Sequence, residues 1–243
     1  MNHLETDRNI RDCGRVSSGQ DSVHPHLETC VRKHLAAPWS QPLHRPSVDA
    51  YRELENGGVF SAGRPLILDS GCGTGESTRH LAGMFPGHLV IGVDRSQKRL
   101  GRGGATTGVF CCKNYVLLRA ELATFWRMFL NSGYTPERHF LFYPNPWPKT
   151  KHLMRRWHGH PVFPVLLALG GEIEMRCNWD IYAQEFAFAA GVATRAIIGV
   201  KKIEPENAVS PFERKYLERG QLLYSVLVPA RCTQDYRHSG SRS

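Results

Sequence analysis

Residues 65–78 read Pro65-Leu66-Ile67-Leu68-Asp69-Ser70-Gly71-Cys72-Gly73-Thr74-Gly75-Glu76-Ser77-Thr78. Three apolar residues end in Asp69, a turn follows with glycine at every second position, and Ser77 and Thr78 open a helical pattern. A short buried strand feeding a glycine turn and a helix is how doubly wound α/β domains build a nucleotide site. Glycine lets backbone N–H groups approach a ligand at the carboxyl end of the strand. The dinucleotide fingerprint, G-x-G-x-x-G, uses its third glycine to pack the helix beneath a pyrophosphate. Here an acid precedes the first glycine and the glycines are two apart, a different pattern. Roughly twenty residues further on, His88-Leu89-Val90-Ile91-Gly92-Val93-Asp94 reads as the next strand. It also ends in an acid, where a carboxylate can accept from both hydroxyls of a ribose.

Strand and helix patterns alternate from Pro65 onward, which predicts a mostly parallel sheet with right-handed crossovers. Ser96–Arg102 reads as a basic helix, Tyr115–Leu118 as a third strand, Leu122–Leu130 as a helix and Phe140–Tyr143 as a fourth strand. Gly170–Cys177 is a fifth strand, and Trp179–Ala190 a helix with Tyr182, Phe186 and Ala189 on its apolar face. Ile197–Ile203 and Gln221–Val228 predict an antiparallel edge hairpin, and Ser210–Lys215 between them reads as a loop folding back toward the mouth. Glu121, after the third strand, is a candidate acceptor for an adenine amino group. It reads equally as a first-turn residue favoured by the helix dipole. Three regions follow: an N-terminal extension over 1–62, partly flexible, with short helices at 26–36 and 48–55; the α/β domain over 63–230; and a disordered tail over 231–243.

The chain has 243 residues, enough for one such core with extensions. A net charge of +9 favours a polyanionic partner, and would also suit an anionic membrane surface. Seven cysteines, an odd number without a C-x-x-C pair, argue against a disulfide framework or a zinc ribbon and suit a reducing compartment. No eighteen-residue apolar run occurs and the N-terminus is charged, so a cytoplasmic protein without a membrane span or secretory signal is expected. His24, His26, His34 and His44 do not form a ligand pattern, and no metal is expected. The oligomeric state is left open, with a monomer favoured.

The fourth strand runs into Tyr143-Pro144-Asn145-Pro146-Trp147-Pro148-Lys149, followed by Thr150-Lys151-His152-Leu153-Met154-Arg155-Arg156. Three prolines around one asparagine and one tryptophan predict a rigid, extended loop at the carboxyl edge of the sheet. On a helix, residues 149, 152, 155 and 156 share a face, giving a cationic stripe that meets phosphates. Trp147 supplies a platform on which a base stacks, worth about 1–3 kcal/mol whatever the base.

The glycine pattern resembles motif I of class I S-adenosylmethionine methyltransferases. From about Arg11 to Pro229 the chain resembles the bacterial tRNA (guanine-N7-)-methyltransferase family. The markers stand in order: Arg15-Val16-Ser17-Ser18-Gly19-Gln20; the glycine loop; Pro144–Lys149 with His152 and Arg155-Arg156; Asn178-Trp179-Asp180-Ile181-Tyr182-Ala183; and Ser210-Pro211-Phe212-Glu213-Arg214. The resemblance implies a Rossmann-like class I α/β fold, with a mostly parallel seven-stranded sheet and an antiparallel edge hairpin. It implies S-adenosylmethionine as cofactor, held by Asp69, Gly71, Gly73, Gly75, Asp94 and Glu121. The acceptor it implies is N7 of the guanosine at position 46 of tRNA, in the variable loop. Trp147, Lys149, Lys151, His152, Arg155, Arg156, Asp180 and Ser210 then contact RNA, and Asn145, Asn178 and Glu213 occupy the catalytic positions. Two departures stand out: asparagine replaces the family's aspartate at 145 and at 178. The late threonine is Ser210, which keeps the hydroxyl.

Guanine N7 carries an in-plane lone pair and no proton, so its methylation needs alignment and stabilisation of the purinium rather than a general base. Asparagine at 145 offers one acceptor and one donor group where a carboxylate accepts from both N1–H and N2–H, a poorer fit to guanine. Glu213 is the leading replacement acceptor and Asp180 a weaker one. Asn145-Pro146-Trp147 is also close to the N/D-P-P-Y/W loop of amino methyltransferases, which keeps open an exocyclic amine or a small molecule as acceptor. A non-catalytic RNA-binding paralogue is disfavoured by the intact glycine loop. If Arg155 and Arg156 both meet phosphate, replacing both by alanine lowers the salt dependence of RNA binding by about two units of slope.

Overall fold

Leu66–Ser70 (β1) and Leu89–Asp94 (β2) are buried at every position, as strands covered on both faces must be. The computed structural model describes residues 16–37, 39–61, 63–104, 109–111 and 114–240. Arg15, the rest of the N-terminal stretch before it and residues 241–243 lie outside the described residues. The further strands are Val109–Cys111 (β3), Tyr115–Arg119 (β4), Arg138–Phe142 (β5), Glu172–Cys177 (β6), Val200–Ile203 (β7) and Leu223–Val228 (β8). They form one sheet in the order β3-β4-β2-β1-β5-β6-β8-β7. The five strands from β4 to β6 are parallel, and β3, β8 and β7 join antiparallel. The sheet therefore has eight strands rather than seven. The expected ones are present, and β3 adds an edge strand of three residues, too short for any periodicity to announce it.

From β1 the chain builds outward through β2 to β4, then returns to the other side of β1 with β5. The strand order reverses between β1 and β5, and ligands of open α/β sheets bind outside the carboxyl ends of the strands at such a point. The glycine loop leaves β1 there, and the proline-rich loop leaves β5 beside it.

Nine helices are described: Leu27–Ala36 (α1), Arg45–Asn56 (α2), Glu76–Met84 (α3), Gln97–Arg102 (α4), Leu122–Asn131 (α5), Phe163–Ala168 (α6), Asp180–Thr194 (α7), Pro211–Glu218 (α8) and Ala230–Gly240 (α9). α1 packs on α7 through Leu27 and Val31, and α2 packs on α5 through Tyr51, whose ring meets Phe125 edge-on at 5.7 Å. From residue 27 onward the N-terminal extension is thus part of the hydrophobic core.

Two expectations need correction. Residues 231–240, read as a disordered tail, form α9: Thr233 is fully buried with its hydroxyl 2.7 Å from the Gly171 carbonyl, and Cys232 is buried beside it. Of residues 230–237, Cys232 and Thr233 alone are buried, so the helix's polar composition hides it. Residues 210–215, read as a loop, are the capped start of α8.

Close packing behind the glycine loop makes two glycines obligatory. A Cβ on Gly92 would lie 2.2 Å from Thr78 Oγ1, and one on Gly75 would lie 2.6 Å from Leu117. Gly92→Ala is expected to lower stability by about 1–3 kcal/mol through overpacking. Gly83, exposed in α3 with open space around it, gives the opposite sign: Gly83→Ala should add about 0.4–1 kcal/mol. Urea unfolding midpoints of the two variants check both signs.

Candidate active site

β1 delivers Asp69 to the base of the glycine loop, where it is 1% exposed. Ser77 Oγ and Thr78 Oγ1 each donate to its Oδ2 at 2.6 Å, which ties the end of β1 to the first turn of α3. Oδ1 is buried without a partner. Burial pushes the Asp69 carboxyl up to about 6 even though the two hydroxyls pull it down. The loop above is left-handed at Gly71, Gly73 and Gly75, with φ of 85°, 61° and 74°. Gly71 and Cys72 donate to the Val93 carbonyl, and Gly73 donates to Asp94 Oδ2 at 3.1 Å. A Cβ on Gly71 or Gly73 would meet nothing within 4 Å, so that side of the loop is an open cradle across the ends of β1 and β2.

Asp94 sits at the end of β2 and also accepts from the backbone N–H of Ser96 at 2.7 Å and from Arg99 at 3.4 Å. Glu121 caps α5, with Oε2 accepting from both the backbone and the hydroxyl of Thr124. The first-turn reading of Glu121 therefore describes one of its oxygens. The residue also lines a cavity of about 720 Å³ with Arg95, Arg119, His44 and Ser47, at the carboxyl ends of β2 and β4.

Across the reversal point, the loop after β5 begins with Tyr143 at φ 52° and carries Trp147 at φ 46°. Side chains other than glycine rarely hold that conformation. The Trp147 carbonyl accepts from Arg156 Nε and Nη2 at 3.2 and 3.1 Å, and its N–H lies 3.4 Å from Asn145 Oδ1. The Arg155 guanidinium lies over the Trp147 ring at 4.7 Å, and His152 meets it edge-on at 5.5 Å. Asn145, Lys149, Lys151 and Arg155 are exposed. The His152 imidazole is held below its ordinary pKa by desolvation and by the cations Arg155, Lys151 and Lys149.

Arg156 departs from the cationic stripe. Residues Thr150–Arg155 form a 3-10 turn rather than an α-helix, so Arg155 points out while Arg156 is fully buried. Arg156 Nη1 donates to Glu185 Oε2 at 2.5 Å, and Nη2 to Gln20 Oε1 at 3.1 Å. It is not a phosphate contact, and the slope expected from this pair falls to about one unit, from Arg155 alone.

Glu213 is also inaccessible to an acceptor base. It is fully buried, with Oε1 accepting from the Tyr143 hydroxyl at 2.7 Å and from Arg176 at 3.1 Å, and Oε2 from the Val209 N–H at 2.7 Å. It pins the start of α8 to the end of β5. Ser210 caps that helix by accepting from the Glu213 N–H. Asn178, half-buried, donates to Gln221 at 2.8 Å, and Asp180 accepts from Gln184 at 2.8 Å in the first turn of α7.

Sequence reasoning did not single out Glu185, His158 or Arg176, and it named Tyr143 and the Arg15–Gln20 marker without giving Tyr143, Ser18 or Gln20 a role at the site. One clue was legible: Glu185 shares the apolar stripe of Tyr182, Phe186 and Ala189, and a carboxylate on such a stripe needs partners. Burial alone would raise its pKa, but hydrogen bonds and charge from His158 and Arg156 outweigh burial and hold it at about 2. Among the described residues no group of three His, Cys, Asp or Glu could hold a metal ion, and no helix is long and apolar enough to cross a membrane.

A profile of the family described as "Putative methyltransferase" matches residues 63–225, both halves of this site included. The chain belongs to that family. The methyltransferase is 27% identical over 231 residues to a tRNA (guanine-N(7)-)-methyltransferase of Paracidovorax citrulli, covering 90% of this chain and 84% of the relative. It is 27% identical over 234 residues to a protein of the same name from Halorhodospira halophila, covering 90% and 92%. Among solved structures, the 16S rRNA methyltransferase KamB matches with a TM-score of 0.51 and 16% identity, over 78% of this chain and 95% of that one, a likeness of fold.

Removing Glu185 from the methyltransferase leaves Arg156 buried and unpaired, so Glu185→Ala should cost about 3–5 kcal/mol, while Arg155→Ala should stay within about 0.5 kcal/mol. The pH dependence has a definite sign. A carboxyl depressed from 4.5 to about 2 contributes stability that is fully present above 4.5 and is lost as the pH falls toward 2. Denaturant titrations between pH 6 and pH 2 should show this loss in the parent and a much flatter profile in Glu185→Gln.

Proposed function

We propose that this methyltransferase transfers the methyl group of S-adenosylmethionine to N7 of a guanine in tRNA, at position 46 of the variable loop. One observation carries the reading. The open glycine cradle and the Trp147 platform with its exposed cations flank the same reversal point of the sheet, so a cofactor on β1 and β2 lies beside a base stacked on Trp147. The names of the relatives agree with it, as does the net charge of +9.

The residues present fit the cofactor. The loop backbone at Gly71 and Gly73 would face its amino-acid end, Asp94 keeps acceptor capacity for a ribose, and Glu121 stands in the cavity at the adenine end. When bound, the cofactor supplies an electrophilic methyl on a sulfonium. The chain's own residues supply alignment: Trp147 stacks the base, and Lys149, Lys151 and Arg155 meet phosphates on either side of it. No proton leaves guanine N7, so no base is needed. Asn145, exposed at the tip of the loop, is the polar side chain free to meet the acceptor base, and the cytoplasmic tRNA pool is the proposed setting.

The exposed Asn145 also favours a second reading, in which the acceptor is an exocyclic amine that donates to the asparagine oxygen. Transfer of labelled methyl to bulk tRNA lacking N7-methylguanosine, followed by nucleoside mass spectrometry, separates the two. N7-methylguanosine is the expected product; a methylated amine would replace the proposal by the second reading. Asn145→Asp should raise kcat/KM on guanine N7 by about 10-fold, the effect of one charge-assisted hydrogen bond.

A further inference from the structure

We infer that Ser18 and Gln20, in the segment ahead of α1, are positioning residues of the transfer site: they lock Trp147 through Arg156. The inference rests on the proposed role of Trp147 as the platform for the acceptor base. Ser18 Oγ donates to the Pro148 carbonyl at 2.8 Å, although the two residues are 130 positions apart. Gln20 donates its N–H to Ser18 Oγ at 3.0 Å, accepts from Arg156 Nη2 at 3.1 Å and donates to Glu185 Oε1 at 2.5 Å. Arg156 in turn places two N–H groups on the Trp147 carbonyl.

The targets of these bonds carry the argument. A segment that only stapled the N-terminus to the domain could bond to any exposed group, yet this one reaches the Pro148 carbonyl directly and the Trp147 carbonyl through Arg156, at the residues whose backbone aims the ring. Trp147 is left-handed, a state that a bulky residue leaves unless its surroundings over-determine it. Arg156 supplies that constraint only while it cannot swing away. Glu185 holds one side of its guanidinium and Gln20 the other. Neither Ser18 nor Gln20 needs to touch RNA to act.

The test uses the full chain with Gln20→Ala and, separately, Ser18→Ala. Both leave the Arg156–Glu185 pair intact, and Ser18→Ala also leaves the Gln20 side-chain bonds in place. Hydrogen exchange at the Asn145 and Trp147 amides is read together with kcat and KM for tRNA and the Kd for S-adenosylmethionine. The expected result is about 10-fold faster exchange in the loop and a 10- to 100-fold lower kcat, with KM and cofactor Kd within about twofold, because misplacing a reacting group by about 1 Å costs on that scale. If Gln20→Ala lowers the melting temperature sharply, Ser18→Ala decides, since it removes only the tether to Pro148. Unchanged exchange in both variants, or faster exchange with unchanged kcat, overturns the inference. A parent protein that methylates no tRNA, with variants that still loosen the loop, retires the acceptor assignment and leaves the lock supported.

Discussion

The carboxylate of Glu185 is the point on which the acceptor side of this molecule turns. An ionised carboxylate has about four sites for hydrogen bonds, and here four donors fill them: Gln20 Nε2 and the His24 N–H on Oε1, Arg156 Nη1 and His158 Nε2 on Oε2. These donors come from the lead-in to α1, the end of the loop after β5 and the turn beyond it, while Glu185 itself rides on α7. Burying such a charge is a poor way to gain net stability, because desolvation takes back most of the attraction. Its value lies in direction. Apolar packing would tolerate a shift of several tenths of an ångström between these elements, whereas a filled set of hydrogen bonds at 2.5 to 3.0 Å does not.

The two sides of the mouth are built in different ways. On the cofactor side the backbone does the shaping: the N–H groups of Gly71, Cys72 and Gly73 are tied to the Val93 carbonyl and the Asp94 carboxylate, and side chains serve as anchors behind the loop. Arg79 bridges the carbonyls of Thr74 and Gly103, and Gly103 lies so close to Thr74 that a Cβ there would overlap its carbonyl oxygen. α4 is thereby fastened to the loop, and the cradle is formed before any ligand arrives. On the acceptor side, prolines restrict the loop and a side-chain network sets its direction. One side can bind a constant cofactor, while the other can change acceptor by changing a few side chains.

This division explains what could be read from the residues alone. Strand periodicity, the glycine spacing and the acids at the ends of β1 and β2 are local patterns, and local patterns survive in one dimension. The destination of a polar side chain does not. Arg155 and Arg156 are neighbours of identical type, yet one lies on Trp147 in solvent and the other is enclosed, because the segment winds as a 3-10 turn and Glu185 waits on one side only. Glu213 looked free because its partners, Tyr143 and Arg176, are 70 and 37 positions away. Gln20 and Glu185 meet across 165 positions, a pairing that no window along the chain contains. α9 and β3 escaped notice for a simpler reason: one buries too few residues and the other is too short to show a period.

The two ends of the sheet have a bearing on how the protein behaves in a crowded solution. β3 at one margin has three residues and β7 at the other has four, and β7 carries Lys201 and Lys202 in exposed positions. A free strand margin is a template on which another chain can add its own strand, and shortness and lysine are what frustrate that addition. Eight strands are enough to hold the site, and both margins are shaped so that a ninth from elsewhere finds little to pair with.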